Sequence, residues 1–368
     1  MRERSTTGRK RPLSPGSIEF RRTERGGELA ILARIRARAA AAGTGPNVSL
    51  GIGDDCALLR VNPGEEIAVT TDLSIAGRHF ELAWHPADAI GHRVLARGLS
   101  DLAAMGARPL AAFLSLGIPN ELAKGLNPHS AKSGSARQAY WIDRFYDGLL
   151  ALAKEFRTPL AGGDLAESPI AAADIVLLGA VPRGKALLRS GARPGDAIYV
   201  TGSLGGAAAG LVLLKELAAA QKPSAHRGLR IQRKFEAALA RHLYPEPRVR
   251  QGLWLAKRGL ATAAIDVSDG LSTDLHHLCD ESGVAAEVEA GALPISAGAS
   301  IQQALNGGED YELLITARLG VNMPRKIAGV AITRIGQMVK RSAKRPIVTL
   351  VTHEGREPLE AHGWQHFA

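Results

Sequence analysis

The chain is poor in aromatic residues, at 4% of 368 positions, and holds only two cysteines, Cys56 and Cys279. Two cysteines build no disulfide framework and show no metal-ligand spacing, so both read as small buried apolar residues in a reducing cytoplasm. No apolar run approaches the roughly 18 residues that a membrane span requires. The common nucleotide-binding signatures are missing too. There is no G-x-x-x-x-G-K-[ST] loop. Gly202-Ser203-Leu204-Gly205-Gly206 departs from G-x-G-x-x-G and lacks an acidic residue about twenty positions on, so it reads as a tight strand-to-helix turn. His92-Arg93-Val94 lacks the Asp of a protein-kinase catalytic loop. Any phosphoryl transfer here uses neither familiar scaffold.

What the chain does have is carboxylates after small residues. Gly53-Asp54-Asp55, Thr70-Thr71-Asp72, Leu99-Ser100-Asp101, Gly162-Gly163-Asp164 and Asp266-Val267-Ser268-Asp269 read as five acidic turns, followed by Gly307-Gly308-Glu309-Asp310. One such turn is ordinary, because Asp caps helices and tolerates tight turns. Five of them point to a site, since functional residues gather on loops held by a scaffold. Carboxylates brought together repel, and a hard divalent cation is the natural compensator. Mg²⁺ fits best, bound through a few carboxylates plus substrate phosphates. Zinc does not, because the set has no His or Cys at ligand spacing, and adjacent His276 and His277 face different directions on a helix.

The formal net charge of +10 suggests nucleic acid, but its placement argues otherwise. Residues 1–26 carry eight Lys/Arg against three Glu, half of the excess, with no apolar period. That segment reads as a basic disordered arm. The short stretch Lys340-Arg341 with Lys344-Arg345 has no interleaved aromatics and reads as a solvated turn.

Apolar residues at helical spacing begin after Gly27. Ile67–Thr71 predicts a short buried strand delivering Asp72 at its end, and Pro86 opens a helix. Leu110–Leu116, Asp174–Val181, Ala197–Thr201, Ala261–Ile265, Tyr311–Thr316 and Val330–Ile335 predict strands. Trp141–Phe156 and the stretches after Gly206 and Gly270 predict helices. Residues 120–138 read as an inserted surface loop, 221–234 as a basic connection, and Pro182–Lys185 as a domain break. Strands alternating with helices indicate an α/β fold with a mixed sheet in each of two domains, 27–181 and 182–368.

The motifs together resemble the thiamine-monophosphate kinase family, within the superfamily of aminoimidazole-ribonucleotide synthetase. The resemblance rests on G-I-G-D-D at 51–55, Thr71-Asp72 with Gly77-Arg78-His79-Phe80, and L-S-D-L-A-A-M-G-A at 99–107. It continues through Gly162-Gly163-Asp164, Arg189-Ser190-Gly191-Ala192, I-D-V-S-D-G-L at 265–271, G-G-E-D-Y-E-L at 307–313 and the terminal Trp364-Gln365-His366-Phe367. It implies two α/β domains, in a homodimer whose N-terminal sheets pair. It also implies ATP-dependent phosphorylation of thiamine monophosphate, the last step of thiamine diphosphate biosynthesis. By this resemblance Asp55, Thr70, Thr71, Asp72, Asp101, Asp164, Asp266 and Asp269 hold several Mg²⁺ ions, with Asp55, Asp72, Asp101 and Asp164 central to catalysis. Gly163, Asp164, Arg189 and Ser268 meet ATP; His79, Glu309 and Trp364 meet the acceptor. Family members commonly carry Thr after Gly-Gly-Asp, where this chain has Leu165. Two alternatives stay open: another ATP-using enzyme of the superfamily, and a nucleotide- or Mg²⁺-binding module without turnover. No nucleic-acid or membrane partner is expected.

Overall fold

A computed structural model describes residues 28–53, 55–124, 140–220 and 233–365. The basic arm, Asp54, most of the 120–138 and 221–234 segments and the last three residues lie outside them. In chain order the first half forms α1 (Glu28–Ala42), β1 (Val48–Leu50), β2 (Leu58–Leu59), β3 (Glu65–Ile75) and α2 (Ala87–Ala104). It continues with β4 (Arg108–Ile118), the one-turn α3 (Asn120–Ala123), α4 (Trp141–Glu155), β5 (Leu160–Glu167) and β6 (Ala172–Pro182). β3, β6, β4 and β5 line up in that order as one sheet, in which only β4 and β5 are parallel.

Trp141, Phe145, Leu149 and Leu152 recur at helical spacing on α4 and are all buried against α2. The two helices touch backbone to backbone. A Cβ on Gly91 of α2 would stand 1.9 Å from the Phe145 carbonyl oxygen, and one on Gly148 of α4 would stand 1.8 Å from that of Asp88. Only glycine fits at either crossing point. The opposite face of the sheet is open: on its edge strand β3, Ile67, Val69 and Leu73 are 52%, 61% and 49% exposed.

The second half forms β7 (Ala197–Thr201), α5 (Gly206–Ala220), α6 (Arg233–Leu243), α7 (Val249–Arg258), β8 (Ala263–Val267) and α8 (Leu271–Ser282). β9 (Ala285–Glu289), α9 (Ile301–Asn306), β10 (Glu312–Ala317), β11 (Lys326–Ile327), β12 (Val330–Val339), β13 (Val348–Val351) and β14 (Arg356–Pro358) complete it. The sheet order is β14-β13-β9-β12-β7-β10-β8, with β11 paired to β12. Every residue of β10 is buried. Leu314 joins Ile198, Val267, Leu275 and Leu278 in one core, while Leu313 and Ile315 join the core around α2. Thus α2 is covered from both halves, and each buried Leu along it, such as Leu95 or Leu99, contributes about 1.5–3 kcal/mol. This position is what carries Ser100 and Asp101 to the second sheet.

The two mixed sheets with flanking helices agree with the α/β expectation, but several local readings change. β3 extends well past Asp72, and its Ile67 and Val69 face solvent, so it is neither short nor buried. Asp101 lies within α2, Asp164 within β5 and Asp266 within β8, so most of the acidic positions sit on regular elements rather than turns. Arg233 already begins α6, inside the stretch expected to be a connection. Cys279 is buried as expected; Cys56 is exposed. Among the described residues, no helix is long and apolar enough to cross a membrane.

Candidate active site

Strand alternation divides the Thr70-Thr71-Asp72 motif. Thr70 and Asp72 turn inward toward α2, and Thr71 turns to the open face. The Thr70 hydroxyl donates to the Asp101 carboxylate across a very short contact. Ser100 Oγ, one residue earlier on α2, donates to Asp266 Oδ2 of β8 at 2.7 Å. Arg97, one helical turn back, reaches Asp72 Oδ1 at 3.1 Å. Three carboxylates from three elements are thereby gathered around one end of α2.

Burial pushes Asp72, Asp101 and Asp266 all above the usual carboxylate range. The neighbouring carboxylate charges add to this at Asp101 and Asp266, while Arg97 opposes it at Asp72 and Arg189 at the other two. The donor set is hard oxygen with too little local positive charge, which suits Mg²⁺. Among the described residues no three His, Cys, Asp or Glu side chains close into a ready coordination shell.

Two other expected ligands lie on elements outside this trio. Asp55 is exposed in the bend after β1. Asp164 is exposed on β5, in register with Ser115, which is in register with Asp174 on β6. Gly163 before it has φ +143°, and a Cβ there would stand 1.9 Å from the Leu114 carbonyl oxygen, so the strand pairing itself demands glycine.

The loop after β8 is shaped by a residue the motif reading passed over. Asp274, in the first turn of α8, accepts the backbone N–H groups of Ser268, Asp269 and Gly270 at 3.0, 3.1 and 3.0 Å. Burial, then the charges of Asp266 and Asp269, push its carboxyl up to about 8. Arg189 is exposed, and its carbonyl accepts from Ser282 Oγ at 2.8 Å.

A second constellation lies on the same face of α2, two turns nearer its N-terminus. Glu309 and Tyr311 both have positive φ, +66° and +49°, a conformation non-glycine residues adopt at a cost of order 1–3 kcal/mol each. The loop is held there by Glu309 N–H to the Ser268 carbonyl (2.7 Å) and by Asp310, which accepts from the N–H groups of Gly205 (2.5 Å) and Ala207 (3.0 Å). Arg93 of α2 donates to Glu309 Oε1 at 2.6 Å and to the His79 carbonyl at 3.2 Å. Burial alone would raise the Glu309 carboxyl, but the Arg93 charge and its hydrogen bond, with Arg97 behind, outweigh it and hold it at about 2. Trp364 hangs its backbone N–H on the Asp269 carbonyl at 3.0 Å, leaving its side chain 49% exposed. Arg93 thus ties His79 to Glu309, and the loop after β8 ties Glu309 to Trp364 through the Ser268 and Asp269 carbonyls. The signal for Arg93 and Arg97 was present: two arginines four apart on an otherwise apolar, buried helix.

These features define a protein of the AIR synthase-related class, two α/β halves with an acidic seam between them. Residues 53–182 match the family described as AIR synthase related protein, N-terminal domain, and residues 193–348 match its C-terminal domain. A thiamine-monophosphate kinase of Salmonella typhimurium is 37% identical over 355 residues, 93% of this chain and 98% of that protein. The crystal structure of thiamine-monophosphate kinase from Stenotrophomonas maltophilia K279a superposes with a TM-score of 0.70 at 36% identity, covering 88% of this chain and 96% of that one. A structure of AaThiL complexed with AMPPCP and TMP superposes with a TM-score of 0.67 at 28% identity, covering 95% and 100%. The chain belongs to the thiamine-monophosphate kinase family.

Proposed function

We propose that this protein phosphorylates thiamine monophosphate to thiamine diphosphate, with ATP as donor and Mg²⁺ assisting a direct in-line transfer. The observation that carries the reading is the pairing of two unlike clusters along one face of α2: the cation-poor Asp72–Asp101–Asp266 trio and Glu309, held by Arg93, which also reaches the His79 carbonyl. The complex of the similar AaThiL with AMPPCP and TMP supports the same substrate pair.

In this reading an oxygen of the acceptor's phosphate attacks the γ-phosphorus, the bond to the β–γ bridging oxygen breaks, and ADP leaves. The acceptor is already an anionic oxygen nucleophile, so no strong general base is needed. When bound, Mg²⁺ would supply positive charge against the two phosphate groups. Thr70, Asp72, Asp101 and Asp266 would hold it from the inner cluster and Asp269 from the loop after β8; Thr71 and Asp164 would serve from the open face of the first sheet and Asp55 from the bend after β1. Gly163, Asp164, Arg189 and Ser268 position the nucleotide, Arg189 adding fixed positive charge. Glu309 and His79 orient the acceptor, and the exposed Trp364 ring offers its face to the cationic thiazolium.

We further take residues 27–181 and 182–368 as two domains of a cytoplasmic homodimer. The open apolar face of β3, on a sheet edge, supports pairing with a second copy. Val69→Lys is expected to shift the protein toward a monomer in sedimentation. The primary assay mixes the protein with ATP, Mg²⁺ and thiamine monophosphate. Thiamine diphosphate and ADP are expected in equal amounts, and their absence from folded protein would return the site to a binding module without turnover.

A further inference from the structure

Between the two clusters, on the same face of α2, stands a guanidinium that none of the motifs includes. Arg93, Arg97 and Asp101 follow one another at four-residue spacing along the helix. Successive members are therefore about 6 Å apart along the axis and lie on one face. Arg93 holds Glu309 at one end, and Asp101 belongs to the acidic trio at the other, so Arg97 lies midway. Its charge reaches both. At Asp72 burial raises the carboxyl and Arg97 is the main opposition; at Glu309 Arg97 adds to the Arg93 charge against burial.

The two arginines differ in what they have left to give. Arg93 is almost wholly buried and its guanidinium is committed. Nη1 donates to the His242 carbonyl, with the His242 ring nitrogen Nδ1 at 3.3 Å, and Nη2 donates to Glu309 and the His79 carbonyl. Among the described residues Arg97 makes one hydrogen bond, from Nη2 to Asp72 Oδ1 at 3.1 Å. A guanidinium carries five N–H donors in a rigid fork, so most of them remain. The Arg97 side chain also keeps 19% of its surface accessible, against 6% for Arg93. Asp72 pins one corner of the fork; the other donors suit a ligand with several anionic oxygens, as a phosphate has.

We propose that Arg97 is a catalytic residue, a guanidinium clamp supplied by the chain itself that donates to the γ-phosphoryl group while it passes from ATP to the acceptor. The inference rests on the kinase reading, in which the donor phosphates lie at the acidic trio and the acceptor at Glu309. The reactants then meet between the clusters, beside Arg97. As the acceptor oxygen bonds to the γ-phosphorus and the bond to the β–γ bridging oxygen breaks, Arg97 exchanges no proton and forms no covalent bond. It contributes fixed charge and aligned donors to the equatorial oxygens, where charge is spread in the transition state. The tether to Asp72 puts that charge in place before the substrates arrive.

The test uses the full chain with Arg97→Ala and Arg97→Lys. Arg97→Ala lowers kcat about a hundredfold or more at saturating Mg²⁺, with KM for ATP and for thiamine monophosphate each held within about threefold. Arg97→Lys stays about tenfold or more below the wild type, because an ammonium offers no fork. A second readout needs no turnover. ADP, aluminium fluoride and thiamine monophosphate together imitate the phosphoryl group in flight, and Arg97→Ala weakens that complex about a hundredfold in a calorimetric titration while AMPPCP binds as to the wild type. If Arg97→Ala does not fold, Arg97→Gln carries the same expectation. Wild-type kcat in either variant, or a loss confined to KM or to the Mg²⁺ requirement, would reduce Arg97 to a counter-ion of Asp72 and overturn the clamp while leaving the kinase reading intact. A wild type that makes no thiamine diphosphate would remove the kinase reading, and the clamp with it.

Discussion

Two polar clusters lie along one face of α2, and they are built on opposite principles. Toward its C-terminal end, Asp72, Asp101 and Asp266 stand close with Arg97 and Arg189 as their cations. Around Glu309 the carboxylate is paired: Arg93 holds it, burial keeps the neighbouring His85 and His242 rings neutral, and the carbonyls of His79 and His242 each accept a further proton of the guanidinium. The first arrangement leaves carboxylate charge uncompensated; the second pairs its carboxylate. In the proposed function that difference would separate a site that recruits a cation from one that presents a fixed surface to the acceptor.

The sharpest way to break the comparison is to neutralise one member of each cluster. Asp101→Asn is expected to lower turnover at least a hundredfold, on the order of what removing a metal-orienting group costs, while raising the melting temperature measured without Mg²⁺. Removal of a repelling charge accounts for the second effect and loss of a cation-holding oxygen for the first. Arg93→Ala should do the reverse to stability, costing about 3–5 kcal/mol in a denaturant titration because it leaves Glu309 without its buried partner. Equal stability changes of one sign in the two variants would show that the clusters do not differ as described.

Acid sharpens the contrast further. A histidine whose folded pKa is depressed contributes stability that is present above its unfolded value, near 6.5, and lost as pH falls toward the folded value. For His85 that window runs from 6.5 down to about 4. Stability of the wild type should fall by a few kcal/mol across it, and His85→Gln should flatten the fall. The smallest expected effect is at the rim: Trp364→Ala loses an aromatic contact of about 0.5–2 kcal/mol, seen as a raised KM for thiamine monophosphate with that for ATP little changed.

Much of the acidic cluster was legible because its residues come as contiguous motifs, where Asp beside Gly, Ser or Thr marks cation or turn chemistry. Their placement was not. Thr70 and Thr71 look equivalent in sequence, yet strand alternation sends one to the buried cluster and one to the open face. Asp101 and Asp164 resemble turn residues but belong to a helix and a strand; before Asp164, Gly163 lies against the Leu114 backbone and lets β5 pair straight through. The long-range partners stayed hidden for a different reason: Arg93 and Glu309 are 216 positions apart, and His85 and His242 are 157 apart. No local pattern carries such a pairing. Asp274 was readable in part, since an acidic residue in the first turn after a Gly-containing loop is the expected acceptor for that loop's amides.

The account's central claim is a single direct transfer between two bound phosphates, with the acidic cluster acting only through cations. ATP made chiral at its γ-phosphorus tests it. The label should appear in thiamine diphosphate with inverted configuration, and protein incubated without acceptor should acquire no hydroxylamine-sensitive phosphate. Retention of configuration, or a phosphate trapped on one of the aspartates, would contradict it.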